Sequence, residues 1–370
     1  MTLRRVLILL VIALAAIMGS MYLGSRRHMD RDPQGGTFLP GLEARLDGVT
    51  DIEFRKGSEK PLTVLHRTAP GTWVVNQRGD YPADATKVRR LLFALADAKI
   101  TEQKTSNPAS YPILGVEDAR AVHAGGTEVS LVAPGKTTSI IVGHSTGNGN
   151  YVRRAGEAAS FAVEPAIQVD AEPRDWIDGK LLDVPFGKIQ DIRMRLADHS
   201  GYRISRLPPV VKPGAAATPS TAHAPGTSGA GPAAPAQNEG FKLDSVPAGR
   251  EAASPDVIAP SPTSYSGVTA DDVSKSSDID FGKPSVAELT LDDGSVLTLT
   301  GTVAGDKHWI TLHSSKDEAQ NARTQGRAFE IAGYRYDSLF RPLEQLLKPK
   351  PAKPEKAAKT PTPKPALTRP

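Results

Sequence analysis

The sequence predicts an α+β protein in which an N-terminal transmembrane helix precedes two repeated units of mainly antiparallel sheet with flanking helices. Three observations carry that prediction. Val6 to Ser25 is an uncharged, mostly aliphatic run behind Arg4 and Arg5. Short stretches that alternate polar and apolar residues recur through the chain, the period of half-buried strands. Several of those stretches also occur twice in the same order, the mark of an internal repeat.

The N-terminal run is taken first. At about 1.5 Å per residue a helix of this length spans the roughly 30 Å hydrocarbon core of a bilayer. A cleaved signal peptide shares the charged start and apolar middle. The run, however, closes on Met21, Tyr22 and Leu23 rather than on a small-x-small site. Residues 1–25 are therefore expected to be an uncleaved anchor inserted through residues 6–25. Arg26, Arg27 and Arg31 compete with the leading arginines for the inner side, but large domains translocate largely regardless of such charges. The bulk of the chain is expected outside the cytoplasm.

Residues 26–47, polar and rich in Gly and Pro, read as a tether. Folded sequence is expected from Gly48, with a first unit at 48–187 and a second at 188–347. In the first, Ile52 to Arg55, Leu62 to Arg67 and Thr72 to Val75 alternate as strands do. A helix follows, capped by Asp84, with Val88, Leu91, Leu92 and Leu95 on one stripe. Further strands are expected at Glu128 to Val132, Ser139 to Val142, Tyr151 to Arg154 and Phe161 to Val163. The second unit repeats the pattern at Ile189 to Arg195, Val286 to Leu291, Val296 to Thr302, Trp309 to Leu312 and Phe329 to Ile331. "DDG" at Asp292 to Gly294 suits a hairpin turn. A closing helix is expected at Tyr336 to Leu347. Its counterpart at Pro255 to Tyr265 is interrupted by prolines.

The repeat rests on five matches. "DIEFR" at Asp51 pairs with "DIRMR" at Asp191, and "EVSL" at Glu128 with "ELTL" at Glu288. "SIIVG", ending at Gly143, pairs with "LTLTG", ending at Gly301. "YVR" at Tyr151 pairs with "WIT" at Trp309, and "SFAV" at Ser160 with "AFEI" at Ala328. The stretch "DWIDGKLLDVPFGKIQDI", Asp175 to Ile192, ends the first unit and leads into the first strand of the second. Trp176, Leu181, Leu182 and Val184 can pack against a sheet there, and Pro185 stops any helix, so it reads as a buried joint. Residues 208–239, dominated by Pro, Ala, Gly, Ser and Thr, are expected to be a disordered insertion, and the Lys/Pro-rich residues 348–370 a disordered tail.

Composition narrows the chemistry. The chain has 370 residues, 39% of them apolar, with a net charge of +4 and no cysteine. Disulfides, thiol catalysis and Cys-ligated zinc are excluded. No basic face interleaved with aromatics accompanies the charge, so no nucleic-acid partner is expected. "GHSTG" at Gly143 to Gly147 fits the nucleophile-elbow pattern, which would make Ser145 the nucleophile of a hydrolase. The elbow needs a helix after the turn; "NGNYVRR" supplies a turn and another strand, so Ser145 reads as a hairpin residue. His308 and His313 are five apart on a strand and face opposite sides, and His66, His123 and His199 are isolated. Asp271, Asp272, Asp278 and Asp280 lack the spacing of a calcium loop. "GNGN" at Gly147 to Asn150 lacks the Lys-Ser/Thr and helix of a phosphate loop. No catalytic, cofactor-binding or metal-binding residue is expected, and no cofactor.

The helix region "KVRRLLFALADAKITEQKTSNPASYPILGVED" at Lys87 to Asp118 carries a family resemblance. So do "NYVRRAG…SFAV", "DWIDGKLLDVP" and "LFRPLEQLLKP". Together they resemble the domain-of-unknown-function family 4340 of bacterial membrane-anchored proteins, over about Gly48 to Lys348 without the insertion. That family is linked to gliding-motility-type ABC transport systems. The resemblance implies a non-enzymatic, single-pass inner-membrane protein with a periplasmic body, an accessory of an ABC-type transport or envelope-assembly complex whose membrane subunits are its partners. A cell-envelope structural or cell-wall-binding role is the alternative, with the Lys/Pro tail as its hint. A periplasmic hydrolase using Ser145 is the third.

Overall fold

The computed structural model describes residues 35–208, 240–244 and 246–349. The expected anchor, most of the insertion and most of the tail lie outside those residues. Among the described residues no helix is long and apolar enough to cross a membrane. The architecture is mainly antiparallel sheet with a few helices, as the alternation predicts.

The described parts of Met1–Leu181, Thr269–Asp278 and Gly326–Glu330 form one compact unit. Those of Leu182–Val268, Ile279–Gln325 and Ile331–Pro370 form the other. The first unit opens with β1 (Asp51–Arg55), β2 (Thr63–Ala69), β3 (Thr72–Val75) and β4 (Tyr81–Pro82). Helix α1 (Ala85–Asp97) and β5 (Lys99–Gln103) follow, then β6 (Thr127–Ala133), β7 (Lys136–Ser145), β8 (Asn150–Arg154) and β9 (Ser160–Glu164). These nine strands pair in the order β4-β3-β2-β1-β6-β7-β8-β9-β5.

Both faces of that sheet are covered. Ile52 and Phe54 of β1 and Leu65 of β2 are fully buried on one face, and Phe54 stacks on Trp176 with ring centres 4.7 Å apart. Asp84 starts α1 by accepting from the Thr86 and Lys87 amides at 2.9 and 3.1 Å. The helix buries Val88, Leu91, Leu95 and Ala96. On the other face Tyr111, Val116 and Ile141 form a cluster with Leu114 and Tyr151. Arg153 fastens the covering segment: its Nε donates to the Val116 carbonyl at 2.7 Å and its guanidinium lies 4.6 Å from the Tyr111 ring centre. With both faces covered, β6 buries Thr127 through Leu131 without alternation, as sheets between two layers do.

Folded structure begins before Gly48. Phe38, Leu39 and Leu42, within the stretch read as tether, are buried, and Gly35 and Gly36 exchange backbone bonds with Ile100 of β5. Three apolar residues in a Gly/Pro-rich stretch carry no period, so the signal for burial was absent from the pattern. The joint stretch contributes Trp176 to this unit as the end of a 3₁₀ turn, Pro173–Trp176, with its indole N–H donating to the Asp170 carbonyl at 2.9 Å. Short strands β10 (Lys180–Leu182) and, later, β14 (Val268–Thr269) belong to neither large sheet. A 3₁₀ turn at Phe186–Lys188 follows Pro185, and no helix forms.

In the second unit β11 (Ile189–Arg195), β12 (Gly201–Arg206) and β13 (Phe241–Leu243) come first. Then come β16 (Ser285–Leu291), β17 (Val296–Ala304) and β18 (Lys307–Ser314), while β15 (Asp272–Lys275) and all but the last residue of β19 (Arg327–Ile331) belong to the first unit. Six strands run β13-β12-β11-β16-β17-β18. β15 and β19 pair antiparallel, with Asp272 opposite Glu330, just as β5 pairs β9. The order β12-β11-β16-β17-β18 therefore parallels β2-β1-β6-β7-β8. The registers refine the sequence matches. Ile52 faces Leu131, and its counterpart Ile192 faces Leu289 rather than Leu291. "EVSL" and "ELTL" are thus offset by two positions. A two-residue slip keeps every side chain on its face, so alternation alone does not reveal it.

Three helical expectations change. The closing helix is Gly333–Leu339, followed by a separate 3₁₀ turn at Leu343–Leu346. Pro342 lacks an amide and disfavours helical geometry at Arg341. Pro255 and Pro260 each open a four-residue helix, Pro255–Ile258 and Pro260–Thr263, the position proline tolerates best. A helix at Glu318–Thr324, capped by Asp317 onto the Gln320 amide at 2.9 Å, adds an element between β18 and β19 where none is expected from the sequence.

Candidate functional site

A concave, mixed-character surface lies in the first unit, where three elements leave a groove of about 420 Å³. One wall is the 3₁₀ helix Glu43–Gly48, contributing Glu43, Leu46 and Asp47. The floor is the β2–β3 hairpin, contributing Arg67, the Pro70-Gly71 turn and Trp73. Gly71 takes φ +74°, a left-handed value that glycine adopts without a Cβ clash and that closes this tight turn. The third side is α1, contributing Arg89, Leu92 and Phe93.

Local folding explains each placement. The core stripe of α1 faces the sheet through Val88, Leu91 and Leu95. Arg89, Leu92 and Phe93 follow on an adjacent stripe at i, i+3 and i+4. Leu92, read from periodicity as a core residue, turns half-exposed into the groove instead. Phe93 is 52% exposed and extends the apolar surface of the groove beside Leu92. Trp73 is 4% exposed, so it forms a rigid floor. Arg67 is committed: it donates to the Asp47 carbonyl at 2.7 Å and its guanidinium lies 5.8 Å from the Trp73 ring centre. Glu43, Asp47 and Arg89 have no side-chain ion pair or hydrogen bond among the described residues. Opposite charges thus stand on opposite walls of an apolar trough. Such a site can hold an amphipathic group by burial and orient it by charge.

The residues singled out from the sequence lie elsewhere. Ser145 ends β7, and β8 follows after a tight turn, so strand–turn–strand replaces the strand–turn–helix of an elbow. Its hydroxyl is turned to local bonding, donating to the Gly149 carbonyl and accepting from the Gly147 amide, both at 3.3 Å. Neighbouring His144 contacts the Ile113 carbonyl at 3.3 Å. His66 pairs with Asp51 at 2.7 Å, and His308 lies against the Tyr336 ring. The aspartates from 271 to 280 disperse. Asp272 takes a bidentate bond from Arg78 at 2.6 and 2.9 Å, and Asp280 accepts from the Gly282 amide at 2.9 Å. Among the described residues no cluster of three or more His, Asp or Glu side chains could hold a metal ion. Sequence reasoning did not find the groove. The available signal was Phe93, an aromatic off the apolar stripe of α1.

Residues 73–229 match the model of a domain of unknown function, DUF4340. No curated protein and no solved structure matches the chain.

Proposed function

We propose, on the premise that this chain is a member of the DUF4340 family through residues 73–229, that it is a non-enzymatic, membrane-tethered binding protein. Residues 6–25 hold it to the bacterial inner membrane and the body works in the periplasm. It serves there as an accessory of an ABC-type transport or envelope-assembly complex. The observation that carries the binding role is the groove, lined by half-exposed Phe93 and buried Trp73 together with Glu43, Asp47 and Arg89, which have no side-chain partner among the described residues. Exposed aromatics of this kind on a rigid scaffold are common anchors in protein–protein interfaces. The parallel pairing orders of the two sheets support reading the body as a duplicated α+β unit, which multiplies the sheet surface available to partners.

Two measurements test the reading. Carbonate extraction of membranes is expected to leave the full chain in the pellet, and release of intact protein would remove the anchor. Pull-down after crosslinking is expected to recover membrane transporter subunits. Recovery of none, with a hydrolase activity that disappears in Ser145→Ala, would replace this function with a catalytic one.

A further inference from the structure

We propose that the groove of the first unit receives a segment of a partner protein in which one aromatic or branched aliphatic side chain is flanked by a basic residue on one side and an acidic residue on the other. This rests on the binding role proposed above and states what is bound. The apolar requirement comes from Trp73, Leu92 and Phe93, which line one trough, with Phe93 left 52% exposed. At about 420 Å³ the trough accommodates a bulky side chain with its adjoining backbone, near the lower end of the roughly 300–1,000 Å³ of ligand sites.

Charge selects among the possible occupants. Glu43 and Asp47 stand on one wall and Arg89 on the other, and none of the three has a partner among the described residues. Arg67, the remaining cation, is held by the Asp47 carbonyl and the Trp73 ring. A basic residue of the occupant meets Glu43 and Asp47 while an acidic one meets Arg89, which fixes the direction in which the segment lies. A phosphate-bearing strand would be repelled by the two carboxylates, and an acyl chain would leave both walls unpaired. A peptide with a charge on each side of an apolar anchor satisfies all three features at once.

The test places the photoreactive amino acid benzoylphenylalanine at position 93 of the full chain, with position 257 in the other unit as control. Both sites are substantially exposed, Phe93 at 52% and Val257 at 43%. Irradiation in the producing cells and mass spectrometry of the adduct are expected to identify, at position 93 only, a protein segment with the stated charge order. The adduct is expected to fall at least about fivefold in Glu43→Lys/Asp47→Lys and to recover when the partner's basic residue is changed to glutamate. Arg89→Glu supplies a second arm, rescued by reversing the partner's acidic residue. Unchanged thermal melting of each variant separates loss of binding from loss of fold. An absent adduct, an adduct to lipid or to a second copy of this chain, or one indifferent to charge reversal overturns the proposal. Fractionation of the same cells keeps the two readings apart. Soluble protein that still yields the adduct would remove the anchor and leave this inference standing.

Discussion

Arg78 and Asp272 lie far apart in sequence, and nothing about either residue alone announces the other. Their bidentate bond is nine-tenths buried on the carboxylate side, with Asp272 at 9% exposure. Removing one partner leaves a charge in low dielectric without compensation. Arg78→Met is expected to destabilise by about 3 kcal/mol, read as a lower urea midpoint with an unchanged slope. Gly149 makes a second residue-scale case. A Cβ there would overlap the Val163 carbonyl oxygen of the paired strand, and carbonyl backbone within a ladder has little room to retreat. Gly149→Ala is expected to cost about 1–3 kcal/mol, whereas Gly135→Ala meets no neighbour and is strained only by its φ of +73°. Comparing the two melting points checks the distinction between clash and conformation. The role of Gly149 was not legible in "GHSTGNGN", where the motif points to Ser145 instead.

Elements were more legible than residues. The Asp84 cap and the Val88, Leu91 and Leu95 stripe of α1 follow directly from helical spacing, because capping and periodicity are local properties. Asp84→Ala leaves the Thr86 and Lys87 amides without that acceptor and is expected to cost about 1 kcal/mol. Circular dichroism melting of the variant against the parent protein measures it. The direction Leu92 takes was not legible, since i+4 from Val88 lies on the boundary between core and groove. Whether it faces inward depends on how α1 rolls against β3. Pro342 shows the opposite case. Its effect on the closing helix is local and present in the sequence, but the leucines on both sides of it keep a helical period that masks the break.

At the scale of the whole molecule, buried tyrosines tie the C-terminal segment to the second unit. Tyr265 donates to the Leu339 carbonyl at 2.8 Å and Tyr202 to the Arg341 carbonyl at 2.7 Å. Burial raises both phenols well above their ordinary value. A raised folded value means that the native state holds the proton more tightly than the unfolded chain. The associated stability is therefore complete below about pH 10, the unfolded tyrosine value. It declines as pH rises above that value toward the folded ones. Urea unfolding followed from pH 7 to 11.5 is expected to show a steep alkaline loss. Tyr202→Phe/Tyr265→Phe is expected to start about 2 kcal/mol lower at pH 7, from two lost hydrogen bonds, and to lose less as pH rises. Parallel pH profiles would refute the assignment.

The sequence by itself determined the period of the strands, the α+β class, the start of α1 and the order in which similar segments recur. Each of these is a local pattern, governed by which face a residue takes two or four positions from its neighbour. Tertiary structure decided the rest. It decided that Phe38 and Leu42 belong to the core, and that the segment after Asn107 covers a second face of the sheet. It set the two repeats two positions out of the register their letters indicate. Above all, it brought Glu43, Trp73 and Phe93, from a 3₁₀ turn, a hairpin and a helix, around one groove. The physical reason is that burial and electrostatics act between whichever groups the fold places together, whereas sequence periodicity records only the orientation of each group within its own element.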